Sequence, residues 1–141
     1  MRTMVIVLAA FGVFFGNLSC TGKSGALEKA GEWQIPPVNG IAEFYYLKQD
    51  LPEPQMKAEA LKRARQLVKK YSAVAIYIFY DRAFAQKSAS PGVRDRVMQG
   101  RKVMGPEVFK DPELRIQGGG LLQMFKGEAE GKWFYQARAG N

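Results

Sequence analysis

The sequence predicts an α+β fold, a single small domain with a mixed or antiparallel sheet of about four strands packed against one long helix. The expected order is β-α-β-(α)-β-β. Three observations predict it. From Gln55 to Tyr71, the residues Met56, Ala60, Leu61, Ala64, Leu67, Val68 and Tyr71 recur at three- and four-residue spacing, which gives a helix one apolar stripe. The run AVAIYIFY (73–80) is apolar at consecutive positions, as in a central strand covered on both faces. LLQMFK, GEAEG and KWFYQAR, up to residue 138, read as strand, turn and strand.

The elements follow in chain order. IAEFYYL (41–47) is rich in β-branched and aromatic residues; as a strand it turns Ile41, Glu43, Tyr45 and Leu47 to one face and Ala42, Phe44 and Tyr46 to the other. QDLPEP is a turn signal. Pro54 suits a first helical turn, and Glu53 sits near the positive end of the helix dipole. Strand, helix and strand in that order predict a right-handed crossover. Residues 82–110 stay open between two readings: Ser88, Ser90, Pro91 and Gly92 mark a loop, and VRDRVMQGRKVM has the composition of a short helix broken near Gly100. LRIQ, the glycines 118–120 and LLQMFK read as strand around a bend. The triplet lacks the GxxxxGK[ST] spacing of a phosphate loop, so a close backbone approach within a strand is expected there.

The first segment is an address. MRTMVIVLAAFGVFFGNLSC carries Arg2 and then an uncharged apolar run from Met4 to Phe15. That run is short of the roughly 20 residues a spanning helix needs, and it fits the apolar region of a signal peptide. Cys20, the one cysteine, stands where the run gives way to polar residues. Together these residues resemble the signal peptide of bacterial lipoproteins, with NLSC (17–20) in the place of the lipobox. Ser19 suits the small-residue preference of that box, Leu18 is unusual in its place, and Asn17 departs from the aliphatic residue the pattern wants. The resemblance implies that residues 1–19 are removed and that Cys20 becomes an acylated first residue. It also implies, with Thr21 rather than aspartate following, an outer-membrane location facing the periplasm. Residues 20–40 then read as the lipidated cysteine and a flexible tether, with Trp33 and Ile35 packing on the domain, and 41–141 as the α+β domain.

Composition excludes several chemistries. There are no histidines, which removes Ser-His-Asp and Cys-His systems and His-based zinc sites. A single cysteine permits neither an internal disulfide nor a CxxC motif. No catalytic residue, metal ligand or cofactor is expected.

Charge is unevenly spread. The chain has 21 Lys and Arg against 13 Asp and Glu, a net of +8. Residues 54–71 and 82–110 each carry +5, so the rest of the chain is acidic. A basic face built from Lys62, Arg63, Arg65, Lys69, Arg94, Arg96 and Arg101 would engage anionic material: a headgroup surface, an envelope polymer or an acidic envelope protein. The plain alternative is that a helix packed by its apolar stripe solvates its other side with lysine. Nucleic acid is not expected, since no stacking aromatics sit among these cations. A carboxylate pair, Glu43 and Asp81, offers a second function class, that of an envelope hydrolase. Against it, Asp81 has the position of a cap or turn residue, and Glu43 could lie at an exposed sheet face or pair with a lysine. The expected function is therefore a small envelope lipoprotein whose domain binds or scaffolds without catalysing.

Overall fold

The computed structural model describes residues 25–92 and 117–138. Within them lie five strands and two α-helices: β1 (Leu27–Ile35), β2 (Gly40–Leu47), α1 (Glu53–Leu67), β3 (Ala73–Phe79), α2 (Arg82–Ser88), β4 (Gly119–Phe125) and β5 (Lys132–Gln136). A 3-10 turn, Pro36–Val38, joins β1 to β2. The strands form one mixed sheet in sequence order. Every pairing is antiparallel except β2 with β3, which run parallel and are joined through α1. The α+β class and the single small domain are as the sequence predicts.

The extra strand is β1, which lies in the stretch expected to be tether. Its pattern was hard to read for a physical reason. A bulge at Ala30 shifts the register between Lys29 and Gly31, so inward positions do not alternate along the strand. Glu28, Lys29 and Glu32 also give this sheet edge a loop-like composition. Trp33 and Ile35 are buried, as expected of them, but inside a strand.

Two cores sandwich the sheet. Beneath α1 lie Ile41, Leu47, Val74, Ile76, Ile78, Leu122 and Met124, packed against Met56, Ala60, Ala64 and Leu67. On the opposite face Trp33, Phe44, Tyr46, Tyr77 and Phe79 meet Phe84 and Ala85 of α2. Phe44 stacks on Tyr77 with centroids 4.7 Å apart, and Phe84 meets Phe79 edge-on at 5.2 Å. Both faces of β3 are therefore covered, which is why its sequence does not alternate. Helix α1 ends at Leu67, short of the expected Tyr71, and the chain tightens after it into a turn in which the Lys70 amide donates to the Leu67 carbonyl three residues back.

The glycine triplet serves packing. At Gly120 a Cβ would lie 2.2 Å from the Trp133 ring, and at Gly119 it would lie 2.5 Å from the Ile78 carbonyl. β4 can thus pass beneath β5's tryptophan only without side chains there. Among the described residues, every strand, both helices and both cores fall within residues 26–136.

Candidate functional site

Strand alternation puts Glu43 on the α1 face of β2, between Ile41 and Tyr45. It is 1% exposed, the one charged side chain buried among the described residues. A carboxylate there is costly unless donors surround it. Arg63, half-buried on α1, supplies a two-pronged contact: Nε donates to Oε1 at 2.7 Å and Nη2 to Oε2 at 2.8 Å. The Tyr45 hydroxyl donates to Oε1 at 2.7 Å and the Lys29 ammonium to Oε2 at 3.0 Å. Burial alone would raise the Glu43 pKa, but the hydrogen bonds from Arg63, Tyr45 and Lys29 outweigh it and hold the group down at about 2. Tyr45 moves the other way, pushed well above the ordinary tyrosine range by burial and by its bond to Glu43.

The bulge in β1 completes this network. Lys29 and Glu32, three residues apart, would point to opposite faces of a regular strand. With Ala30 as the extra residue, Lys29 pairs opposite Tyr45 and Glu32 opposite Glu43, both on the α1 side. Two carboxylates face each other across the strands, and Lys29 bonds to both. Beside the network is a cleft of ≈190 Å³, floored by Leu27, Tyr45 and Ile76 and rimmed by Glu59, Lys62, Arg63 and Gln66.

Glu43 and Asp81 are not brought together. Asp81 caps α2, its carboxylate accepting from the Phe84 amide at 2.8 Å. The sheet register pairs Tyr46 with Phe79. Glu43 and Asp81 therefore stand about five residues, roughly 16 Å, apart along the strands. Paired-carboxylate hydrolysis uses separations of roughly 5–9.5 Å. Glu43 also has no proton to give near neutral pH, and its oxygens are engaged by four donors.

The basic helix is a different arrangement. Lys57, Lys62, Arg65, Lys69 and Lys70 are all exposed. Arg65 reaches the Ala129 carbonyl in the β4–β5 turn at 3.2 Å, which ties the helix to that hairpin. Arg63, expected among the outward cations, instead turns to Glu43 and donates through Nη1 to Gln66. Cys20, Arg94, Arg96, Arg101 and the expected helix after Val93 lie outside the described residues, as do residues 114–116 of the expected LRIQ strand. Among the described residues no three Cys, Asp or Glu side chains converge as a metal site, and no helix is long and apolar enough to cross a membrane.

Sequence reasoning missed the Glu43–Arg63 pairing, although a signal existed. A lone glutamate on a strand face shared with Ile41 and Leu47 needs a cation from the covering helix. Arg63 directly precedes the inward Ala64 and so flanks the apolar stripe. Comparison with known proteins returns no matching family model, no matching curated protein and no matching solved structure.

Proposed function

We propose that the chain is a small cell-envelope lipoprotein. In this reading residues 1–19 direct export, Cys20 is acylated and holds the protein to a membrane, and the location is the outer membrane facing the periplasm. The domain binds or scaffolds without catalysing, meeting an anionic surface or acidic partner through the outer face of α1. The observation that carries the binding role is the division of α1. Its stripe of Met56, Ala60, Ala64 and Leu67 is buried, and Lys62, Arg65 and Lys69 are left to solvent. Each such cation near an anionic membrane surface contributes about 1 kcal/mol.

β1 alters the geometry of the anchor. The tether runs from Cys20 to Leu27 rather than to residue 40, and seven extended residues reach at most about 25 Å. The domain is held close to its bilayer. Several acyl chains, at about 0.8 kcal/mol per buried methylene, make that attachment durable. The alternative, a carboxylate-dependent hydrolase, would need Glu43 free and near Asp81, and the geometry works against both conditions.

The test uses the chain lacking residues 1–20 with polyglutamate and with phosphatidylglycerol vesicles. Binding should fall steeply from low to physiological salt, where charges are screened over roughly 8–10 Å. The triple variant Lys62→Gln, Arg65→Gln, Lys69→Gln should bind at least tenfold more weakly while melting like the parent. Equal binding by the two proteins would reduce the charge to a solubility feature.

A further inference from the structure

Among the described residues two large apolar side chains stand exposed, Val38 at 51% and Phe125 at 55%. They share one end of the sheet. Gly40, Ala73 and Phe125 lie in a row across β2, β3 and β4, and Val38 projects from the turn just before Gly40. At strand spacing that row is about 10 Å wide. Backbone bonds lace the three loops into one tip: the Ser72 amide donates to the Asn39 carbonyl at 2.8 Å, and the Lys126 amide to the Ser72 carbonyl at 2.9 Å. The Asn39 side-chain amide also donates to the Lys70 carbonyl. The exposed cations Lys69, Lys70 and Lys126 sit on these same loops. The nearby acids are Glu128, whose carboxylate turns back to accept from the Phe125 amide, and Glu130 in the hairpin turn.

We infer that this tip is a docking surface for an anionic lipid bilayer, with Val38 and Phe125 entering the headgroup region and Lys69, Lys70 and Lys126 pairing with phosphates. Isolated exposed apolar residues are ordinary. Here the described residues with large exposed apolar side chains share one end of the sheet with lysines on the same hydrogen-bonded loops, the pairing of apolar insertion with attraction to anionic lipid that interfacial binding uses. Lys69, Lys70 and Lys126 outnumber Glu128 and Glu130 here, which favours an anionic occupant over a second copy of the chain. The inference rests on the anionic-surface reading above and names the surface. It also constrains posture. Leu27 pairs with Leu47 and Ile35 with Gly40, so the tether leaves from the end of β1 remote from the tip. A strand of that length spans roughly 27 Å. Reaching the anchoring bilayer tip-first therefore requires an extended tether and a tilted sheet.

The experiment measures co-sedimentation of the chain lacking residues 1–20 with vesicles of phosphatidylcholine and phosphatidylglycerol, with pure phosphatidylcholine vesicles, and with polyglutamate in solution. Val38→Ser and Phe125→Ser, each verified to melt like the parent, should each bind the anionic vesicles about tenfold more weakly and bind polyglutamate unchanged. An environment-sensitive dye on Val38→Cys should shift to the blue on anionic vesicles and not on neutral ones. If both serine variants bind vesicles like the parent while the α1 triple variant does not, the tip inference is overturned and the basic-face reading stands. Binding of the parent to polyglutamate alone likewise overturns the tip inference and points to an acidic protein or polymer. Binding to neither overturns both.

Discussion

The Arg63 guanidinium grips the Glu43 carboxylate with two parallel hydrogen bonds, of 2.7 and 2.8 Å, across the boundary between α1 and the sheet. This contact ties the helix to β2 beside the buried stripe of Met56, Ala60, Ala64 and Leu67 that packs α1 on the sheet. A two-pronged arginine–carboxylate pair has a defined geometry that lysine cannot reproduce. Arg63→Met should leave a buried carboxylate with Tyr45 and Lys29 alone, and cost about 3 kcal/mol. The double variant Arg63→Met, Glu43→Leu should recover much of that loss, because no uncompensated charge remains. Denaturant unfolding of the parent, the single variants and the double variant measures the coupling. Strict additivity would contradict a coupled pair.

Acid should expose the same network. Glu43 titrates at about 2 in the fold against an ordinary 4.5, so its contribution is complete above about pH 4.5 and vanishes as pH falls through about 2. Thermal melts from pH 7 to 2 should show stability falling in that window. Glu43→Gln should start lower at neutral pH, flatten the decline, and converge on the parent at the acid end. Parallel curves would mean that other carboxylates govern acid unfolding.

Core truncation separates the two sides of α1. Leu67 is 6% exposed, and Leu67→Ala should cost roughly 2–5 kcal/mol. Lys62→Ala on the exposed side should stay within about 0.5 kcal/mol. A loss for Leu67→Ala in that smaller range would mean that the stripe does not support the sheet.

Gly120→Ala tests the reading of the glycine triplet as a packing device. The added methyl collides with the Trp133 ring, and moving that ring breaks its Nε1 donation to Glu53. Destabilisation of about 1–3 kcal/mol is expected. It should be accompanied by a red shift of Trp133 fluorescence, read in a Trp33→Phe background; an unperturbed tryptophan would refute the clash.

Long-range order was legible where periodicity was clean. The stripe of α1, the doubly apolar β3 and the β4–β5 hairpin all follow from spacing alone, because burial on one or two faces writes itself directly into the sequence. β1 did not, because one inserted residue at Ala30 breaks the alternation and an edge strand tolerates charge. The start of α2 was visible only as Asp81, a residue equally at home in a turn. At the site, the faces of Glu43 and Tyr45 could be read from alternation, but the partner of Glu43 could not. Arg63 is set apart from the other cations of the helix only by its place beside the inward Ala64, which does not by itself say that the side chain reaches across to β2. Likewise Val38 and Phe125 lie far apart in the chain, and only the register of β2, β3 and β4 brings them to one end.

Whether the chain is exported and acylated decides which surfaces the domain can meet, so the proposed anchor bears on every functional proposal above. Mass spectrometry of the N-terminal peptide, on protein purified from its native host, measures this directly. Residues 1–19 should be absent, and the first residue should be Cys20 carrying the mass of a diacylglycerol thioether. A peptide beginning at Met1, or a Cys20 with a free thiol, would contradict the lipoprotein proposal.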